Sequence, residues 1–429
     1  MVEQSLTAAK KKVVYLSTRF PLPAEGGRER MILQTLEFLR EEYEVHFFFF
    51  SKRPVSQNQV AALDVTRARQ FCFPSMARVL FNVLRYPGKS LQESLFYSGT
   101  IKAQILSELD AIGPDVIVSD MIRTGQFVED VPLPKVLEMD DLLSVRYERF
   151  RSHADKHSNL LGTFADLMPG FVSGFVNRFL KISILSVEAK RMQRREVQSA
   201  AKFCALTLVS PKEAAFLRKY SDGNILAVPL GIANLAPVPA VRQEIPNLLF
   251  LGNLTTNQNL SSFAYIVQKV LPLLSAQGLE YCFKVVGKYD ERATSVARCN
   301  EKIQLLGFVE SLRDVIADST LMLAPITFGS GIKIKILDAM SFGLPVVTNS
   351  IGAEGIPGTD GVHLFIADDE QTVAESVLRL STDPDLSTLI STNALLLVEE
   401  CFLREKVRAS YMAMLSEVLG TPHDNLTAA

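Results

Sequence analysis

Short apolar runs alternate along the chain with longer stretches whose apolar positions recur at helical spacing. "KVVYLST" (Lys12 to Thr18) is β-branched and reads as a strand. Glycines and prolines follow. "RERMILQTLEFLREEY" then sets Met31, Leu36 and Leu39 near helical spacing, and "EVHFFFFS" is the next strand. "DVIVSD" (Asp115 to Asp120), "PKVLEMD" (Pro134 to Asp140) and "CALTLVS" (Cys204 to Ser210) continue the series. This strand–helix–strand alternation predicts a parallel sheet covered by helices.

A Pro-rich stretch, "PLGIANLAPVPAVRQEIP" (Pro229 to Pro246), interrupts this rhythm and reads as an interdomain linker. Beyond it "NLLFLGN", "CFKVVGK", "KIQLLGF", "TLMLAPI" and "LPVVTNS" are strands of a second α/β domain. The last helical stretch, "CFLREKVRASYMAMLSEVL", has no strand after it. The pattern predicts two Rossmann-like domains, residues 1–236 and 244–399, with a helix over 400–420 packing back on the first. Ligands of doubly wound sheets lie beyond the carboxyl ends of the strands, so the expected site is a cleft across which the two domains face each other.

Composition narrows the function. The 429 residues fit two or three domains, and 48% hydrophobic with 21% charged residues is a globular balance. A net charge of −2 argues against nucleic acid as a partner. The five cysteines (Cys72, Cys204, Cys282, Cys299, Cys401) show no CxxC spacing, which fits a reducing cytoplasm rather than a disulfide framework. The five histidines (His46, His153, His157, His363, His423) show no ligand spacing, so no metal site is expected from them.

Lys10 to Lys12 precede "VVYLSTRF", which is too short and polar for a signal peptide. No uninterrupted apolar run is long enough to predict a membrane span. The nearest, Leu160 to Val187, is broken by Asp166, Arg178 and Lys181 and edged by Arg146, Arg149, Arg151, Lys190, Arg191, Arg194 and Arg195. Region 146–195 is therefore either a peripheral membrane contact or a helical excursion packed against its own domain.

One segment carries the chemistry. In "ITFGSGIKIKILDAM" (Ile326 to Met340) a strand ends in a glycine turn and an apolar helix starts near Gly331 or Ile332. Ile332, Ile336 and Ala339, with Gly343 one turn on, mark its packed stripe. Gly329 and Gly331 allow close backbone approach. Helix-terminal N–H groups at Ser330 to Lys333 and the Lys333 ammonium favour a phosphate or diphosphate, with Phe328 and Gly329 also taken as donor-binding. Lys335 and Asp338 are three residues apart, which by itself reads as a surface pair.

"LDAMSFGLPVVTNSIGAEG" resembles the donor-binding signature of the family-4 retaining glycosyltransferases, enzymes of the two-Rossmann GT-B fold. "LSTRFPLPAEGGRERM", "VLEMDDLLSVRYERF", "FLGNLTTNQN" and "IQLLGFVESLRDVIADSTLMLAPI" are similar to further family segments, so the likeness covers nearly the whole chain. The family pattern has two glutamates. The first falls on Ser330, which has no carboxylate, and the second on Asp338, one methylene shorter. The resemblance implies a ribose contact for Asp338, a base pocket at Gly307, Phe308 and Val309, and donor contacts at Gly252 and Asn253. It implies a nucleotide-sugar donor, retention of anomeric configuration, no cofactor and no required metal.

Lys333 would meet the charge growing on the leaving diphosphate, and Gly26 and Gly27 would let backbone approach it from the first domain. The basic residue common after the family's first donor-domain strand is not evident in "GNLTTNQN", and Lys333 is the substitute inferred for it. Where the family carries a histidine, "VSDMIRTGQF" offers Asp120, Arg123 and Gln126. Arg123 is read either as an acceptor-phosphate contact or as a surface arginine. Asp140 and Asp141 either hold a cation or hydrogen-bond the acceptor, and their place in the first domain favours the second, with Asp141 in a catalytic role.

The function expected is transfer of a sugar to a saccharide or lipid-linked acceptor in surface polysaccharide or glycolipid synthesis. It would occur in the cytoplasm or at the inner face of the cell membrane. An epimerase or phosphorylase on the same fold, and a non-catalytic nucleotide-sugar-binding subunit, are the alternatives. A dinucleotide oxidoreductase ranks lower, because "AEGGRER" does not supply GxGxxG after the first strand.

Overall fold

A computed structural model describes residues 10–24, 26–152, 181–238, 244–329 and 331–420. Most of the excursion Leu160 to Val187, and Ser330, lie outside the described residues. The chain divides into two compact units, described in turn.

The first unit is built on an all-parallel sheet. Its strands are β1 (Lys12–Ser17), β2 (Glu44–Phe50), β3 (Arg67–Phe71), β4 (Val116–Asp120), β5 (Lys135–Glu138), β6 (Ala205–Leu208) and β7 (Ile225–Ala227). Among the described residues their order is β3-β2-β1-β4-β5-β6-β7. β2 shows why the apolar runs do not alternate. Phe48 and Phe50 join the core on one face, while Phe47 and Phe49 stack at 5.3 Å on the other, with Tyr15 5.9 Å and Phe20 5.0 Å away. All four rings are at most 1% exposed. Each contributes roughly 1.5–3 kcal/mol of apolar burial. Residues 408–420 belong to this unit too: Met414, Leu415 and Val418 are buried, and the Tyr411 hydroxyl donates to Glu138 at 2.7 Å.

The second unit holds β8 (Asn247–Leu251), β9 (Cys282–Val286), β10 (Ile303–Gly307), β11 (Leu321–Ala324), β12 (Val346–Thr348) and β13 (Phe365–Ile366). Among the described residues they pair in parallel in the order β10-β9-β8-β11-β12-β13. Both sheets reverse strand order in the middle, between β1 and β4 and between β8 and β11. That topology opens a crevice at the carboxyl ends of those two strands. Both units are thus Rossmann-like α/β domains.

Three boundaries differ from the sequence expectation. The units divide at Val228/Pro229, and residues 229–238 lie on the second unit as a strap. Ile232 N–H donates to Phe402 O at 2.7 Å and Ala236 N–H to Ser341 O at 3.1 Å, bonds that a free linker would not make. The final helical stretch is broken: one helix runs Pro384–Phe402, Leu403 is extended and bridged to Ile232, and the next runs Arg404–Gly420. The helix after β11 begins at Ile334, with Lys333 as its N-cap, rather than at Gly331 or Ile332. Gly331 adopts a left-handed φ of 70° and cannot be its first turn. Gly343 (φ 77°) follows the C-cap and stops the helix rather than extending its stripe.

Candidate functional site

The crevice of the second unit lies where β8 and β11 end. β8 runs into Gly252 and Asn253, and Thr256 caps the helix Asn257–Tyr265. β11 runs through Phe328 and Gly329 into the helix Ile334–Ser341. The two loops are pinched together. A Cβ on Gly329 would stand 2.4 Å from Gln258 Nε2, and Gly329 holds a φ of 138°. A Cβ on Gly252 would stand 2.9 Å from Asn259 Cγ. Next door, a Cβ on Gly287 would stand 2.2 Å from the Gly252 carbonyl oxygen. Gly287 is held to glycine by backbone contact and a φ of 134°, and Gly329 by its φ of 138°, whereas the near neighbours of Gly252 are side chains.

Two lysines close the β11 side. Lys333 is buried and its ammonium donates back to Gly331 O at 2.5 Å. Lys335 is not half of a surface Lys–Asp pair. Its ammonium donates to Asn259 Oδ1 at 2.9 Å and sits 4.7 Å from the centroid of the Phe250 ring. It thus ties the helix after β11 to the helix after β8. Burial pushes the Lys335 ammonium down to about 7, and the neighbouring Lys333 charge adds to the fall. Such a site costs free energy to hold positive, and an anion placed beside it would relieve that cost.

The remaining expected donor residues are placed as follows. Asn253 spends its side-chain oxygen on Thr255, accepting from N–H at 3.0 Å and from the hydroxyl at 2.7 Å. Its backbone oxygen accepts from Asn259 Nδ2 at 3.0 Å. Gly307 (φ 69°) ends β10 at a register shift, and its carbonyl oxygen accepts from Gly287 N–H at 2.8 Å. Phe308 beyond it is 83% exposed, a bare aromatic face, while Val309 packs on the core. Asp338 is half-buried, one turn beyond Lys335 on the same helix. Sequence reasoning missed Gln258, Asn259 and the inward turn of Lys335. The signal available was "NQN" at a helix start, where the side chains face the strand end.

The crevice of the first unit is filled differently. Asp120, at the end of β4, accepts from Thr18 N–H at 2.7 Å and from Arg28 Nε at 2.7 Å, with a further contact from Arg28 Nη2. Glu138, at the end of β5, accepts from Tyr15 at 2.9 Å, Tyr411 at 2.7 Å and Thr35 at 3.1 Å. Burial acts to raise the Asp120 carboxyl, but Arg28 and Thr18 override it and hold Asp120 below the usual carboxylate range. Gly26 and Gly27 open the helix Gly27–Glu42 that delivers Arg28; Gly26 is its N-cap.

Arg123 is buried, so the surface-arginine reading falls. Its Nε donates to Gln92 Oε1 at 2.8 Å and Nη1 to Met121 Sδ at 3.4 Å. Burial lowers its guanidinium to about 10, with Arg19 pushing the same way and Tyr147 against. Met121 itself has a φ of 66°, a left-handed conformation at a strand end that costs on the order of 1–3 kcal/mol. Asp141 is buried and bound by Arg146, Nε at 2.7 Å and Nη2 at 2.5 Å. That guanidinium supplies positive charge beside the Asp140–Asp141 pair. Among the described residues no three His, Cys, Asp or Glu side chains converge as a cation site. Beyond the ends of β1, β2 and β3 lies a cavity of about 560 Å³, walled by Phe20 and Phe73 and edged by Arg19, Lys52 and Arg53.

With this geometry in hand, comparison with known proteins locates it. Residues 245–383 match the family described as Glycosyl transferases group 1. An uncharacterized 44.6 kDa protein in the cps region of Klebsiella pneumoniae is 29% identical over 173 residues, 38% of this chain. The aligned part spans 44% of that relative's length. Sucrose-phosphate synthase from Thermosynechococcus elongatus superposes with a TM-score of 0.65 at 14% identity, over 95% of this chain and 99% of that one. Anabaena HepE, solved in complex with UDP, superposes with a TM-score of 0.62 at 14% identity, over 95% of this chain and 100% of that one. The fold is that of the GT-B glycosyltransferases, and the match at 245–383 supports a glycosyltransferase.

Proposed function

We propose that this chain is a retaining glycosyltransferase of the family-4 type. It takes a sugar from a nucleotide-sugar donor and passes it to a saccharide or lipid-linked acceptor. The observation that carries the reading is the pair Lys333 and Lys335, held at the β8/β11 crevice beside Gly329, whose φ of 138° favours glycine. In glycosyl transfer the bond from the anomeric carbon to the diphosphate oxygen breaks and negative charge grows on the leaving group. Ammonium groups fixed beforehand stabilise that charge more than they stabilise the ground state. Lys335 is the sharper candidate, since it ties the two helices at the crevice and burial penalises its charge.

Asp338 takes the ribose hydroxyls on this reading, and Phe308 offers its exposed ring to the base. On the acceptor side, Arg123 and the cavity edged by Lys52 and Arg53 suit an acceptor that carries phosphate on an apolar stem. The Anabaena structure was solved with UDP, which makes uridine nucleotides the first to try. Thermal shift against UDP, GDP, ADP, CDP and dTDP is expected to single out one stabiliser. A flat response to all five sinks the donor site. Mass spectrometry of products from a sugar-nucleotide panel with lipid extract then separates transfer from binding alone.

A further inference from the structure

The helix Met76–Arg85 stands out from the rest of the first unit's surface. Ser75 caps it, its Oγ accepting from Arg78 N–H at 3.4 Å. One side is anchored: Val79 is buried, and Asn82 Nδ2 donates to Ser94 O at 3.1 Å and Tyr97 O at 2.8 Å. The other side presents Leu80, Phe81 and Leu84, which are 60%, 50% and 83% exposed. At about 100° per residue these three fall on one stripe, and Arg78 and Arg85 lie roughly a quarter-turn to its side. Single exposed apolar residues are ordinary, but three on one short helix mark a face that something covers.

The charges say what covers it. Between Asp64 and Glu93 the chain has no acidic residue, yet it carries Arg67, Arg69, Arg78, Arg85 and Lys89. Arg67 and Arg69 are taken up by Glu108, and Lys89 turns inward to Gln126 at 2.8 Å. Arg78 and Arg85 stay exposed, each lying over an aromatic ring, Phe81 at 5.6 Å and Tyr86 at 5.5 Å. Apolar side chains flanked by arginines on long stems fit a layered partner, apolar below and anionic at the level of the guanidinium groups.

We propose that the helix Met76–Arg85 docks this protein on an anionic lipid bilayer, with Leu80, Phe81 and Leu84 entering the acyl boundary and Arg78 and Arg85 meeting headgroup phosphates. Phe73, which walls the cavity beyond β3, lies two residues before the helix cap. A lipid-linked acceptor would therefore have a short path from bilayer to cavity; this last step rests on the proposed function, while the docking does not.

The test is flotation of the full chain with vesicles of phosphatidylcholine containing one-third phosphatidylglycerol, against pure phosphatidylcholine, without nucleotide. Strong preference for the anionic vesicles is expected. The combined change Leu80→Gln, Phe81→Gln and Leu84→Gln should lower that binding at least about tenfold. Arg78→Gln with Arg85→Gln should lower it and flatten its salt dependence. Because all five side chains are exposed, Tm and the nucleotide-induced shift should hold, which keeps this result separate from the donor-site test. Equal binding by wild type and the triple variant, equal binding to uncharged vesicles, or a triple variant that abolishes only self-association would each overturn the proposal.

Discussion

The two crevices share a topology and differ in electrostatics. In the first, the buried cation Arg28 is matched by Asp120 and lies 3.8 Å from Glu138. Burial works against the Arg28 charge, yet Asp120 and its neighbours raise it above the ordinary arginine value. In the second, Lys335 meets a neutral amide oxygen and an aromatic face, and its ammonium falls to about 7. The crevice thus holds a settled ion pair in one unit and, in the other, a cation that gains from an incoming anion.

The largest effect should come from breaking the settled side. Asp120→Ala leaves Arg28 buried beside no carboxylate at β4 and should cost about 3–5 kcal/mol in urea unfolding. The contribution of Asp120 has a defined pH window. Its folded value is depressed, so the stabilisation is present above the usual carboxylate pKa of about 3.9 and is lost as pH falls through the lower folded value. Asp120→Ala should correspondingly flatten the acid limb of the stability curve.

Lys335→Met should do the reverse: stability held or slightly raised, nucleotide-induced thermal shift lost, and turnover reduced by roughly 10²-fold. A stability loss with turnover intact would make Lys335 a structural tie. Lys333→Ala is expected to cut turnover on a similar scale, about 10²-fold. Unchanged turnover would take Lys333 out of the leaving-group role.

A finer measurement follows the proton. The Lys335 value is depressed, so between about 7 and its unfolded value near 10.4 the unfolded chain binds more protons and stability climbs with pH. At pH 8 the group is mostly neutral, and a bound diphosphate would restore its charge. Calorimetry in buffers of different ionisation enthalpy should show uptake approaching one proton per nucleotide, abolished in Lys335→Met. The smallest effect belongs to Tyr411→Phe, which removes one donor to Glu138 and should cost about 1–2 kcal/mol.

Central strands were legible from the apolar runs because both their faces are covered, as the four phenylalanines of β2 illustrate. β3, β7 and β13 were not. Each is a sheet edge, and each is short or, like "RARQF" in β3, keeps only its last residue fully buried. The glycine turn and its lysines stood out in sequence as a candidate site, but not the side to which Lys335 turns. That depends on Phe250 and Asn259, remote in sequence. Arg123 stood in sequence as a charged residue like any other, and its burial follows from the strand-end turn at Met121, a residue type with no preference for that conformation.

The C-terminal segment has a consequence for how the chain is made. Tyr411 reaches Glu138 across 273 positions, and residues 229–407 of the second unit lie between. On a ribosome the amino-terminal half therefore waits, at ordinary elongation rates on the order of ten seconds or more, before the piece that completes its interior emerges. During that interval Tyr15 and Thr35 hold the Glu138 carboxylate without their third partner. The nascent half-protein is then the form most exposed to chaperones and proteases.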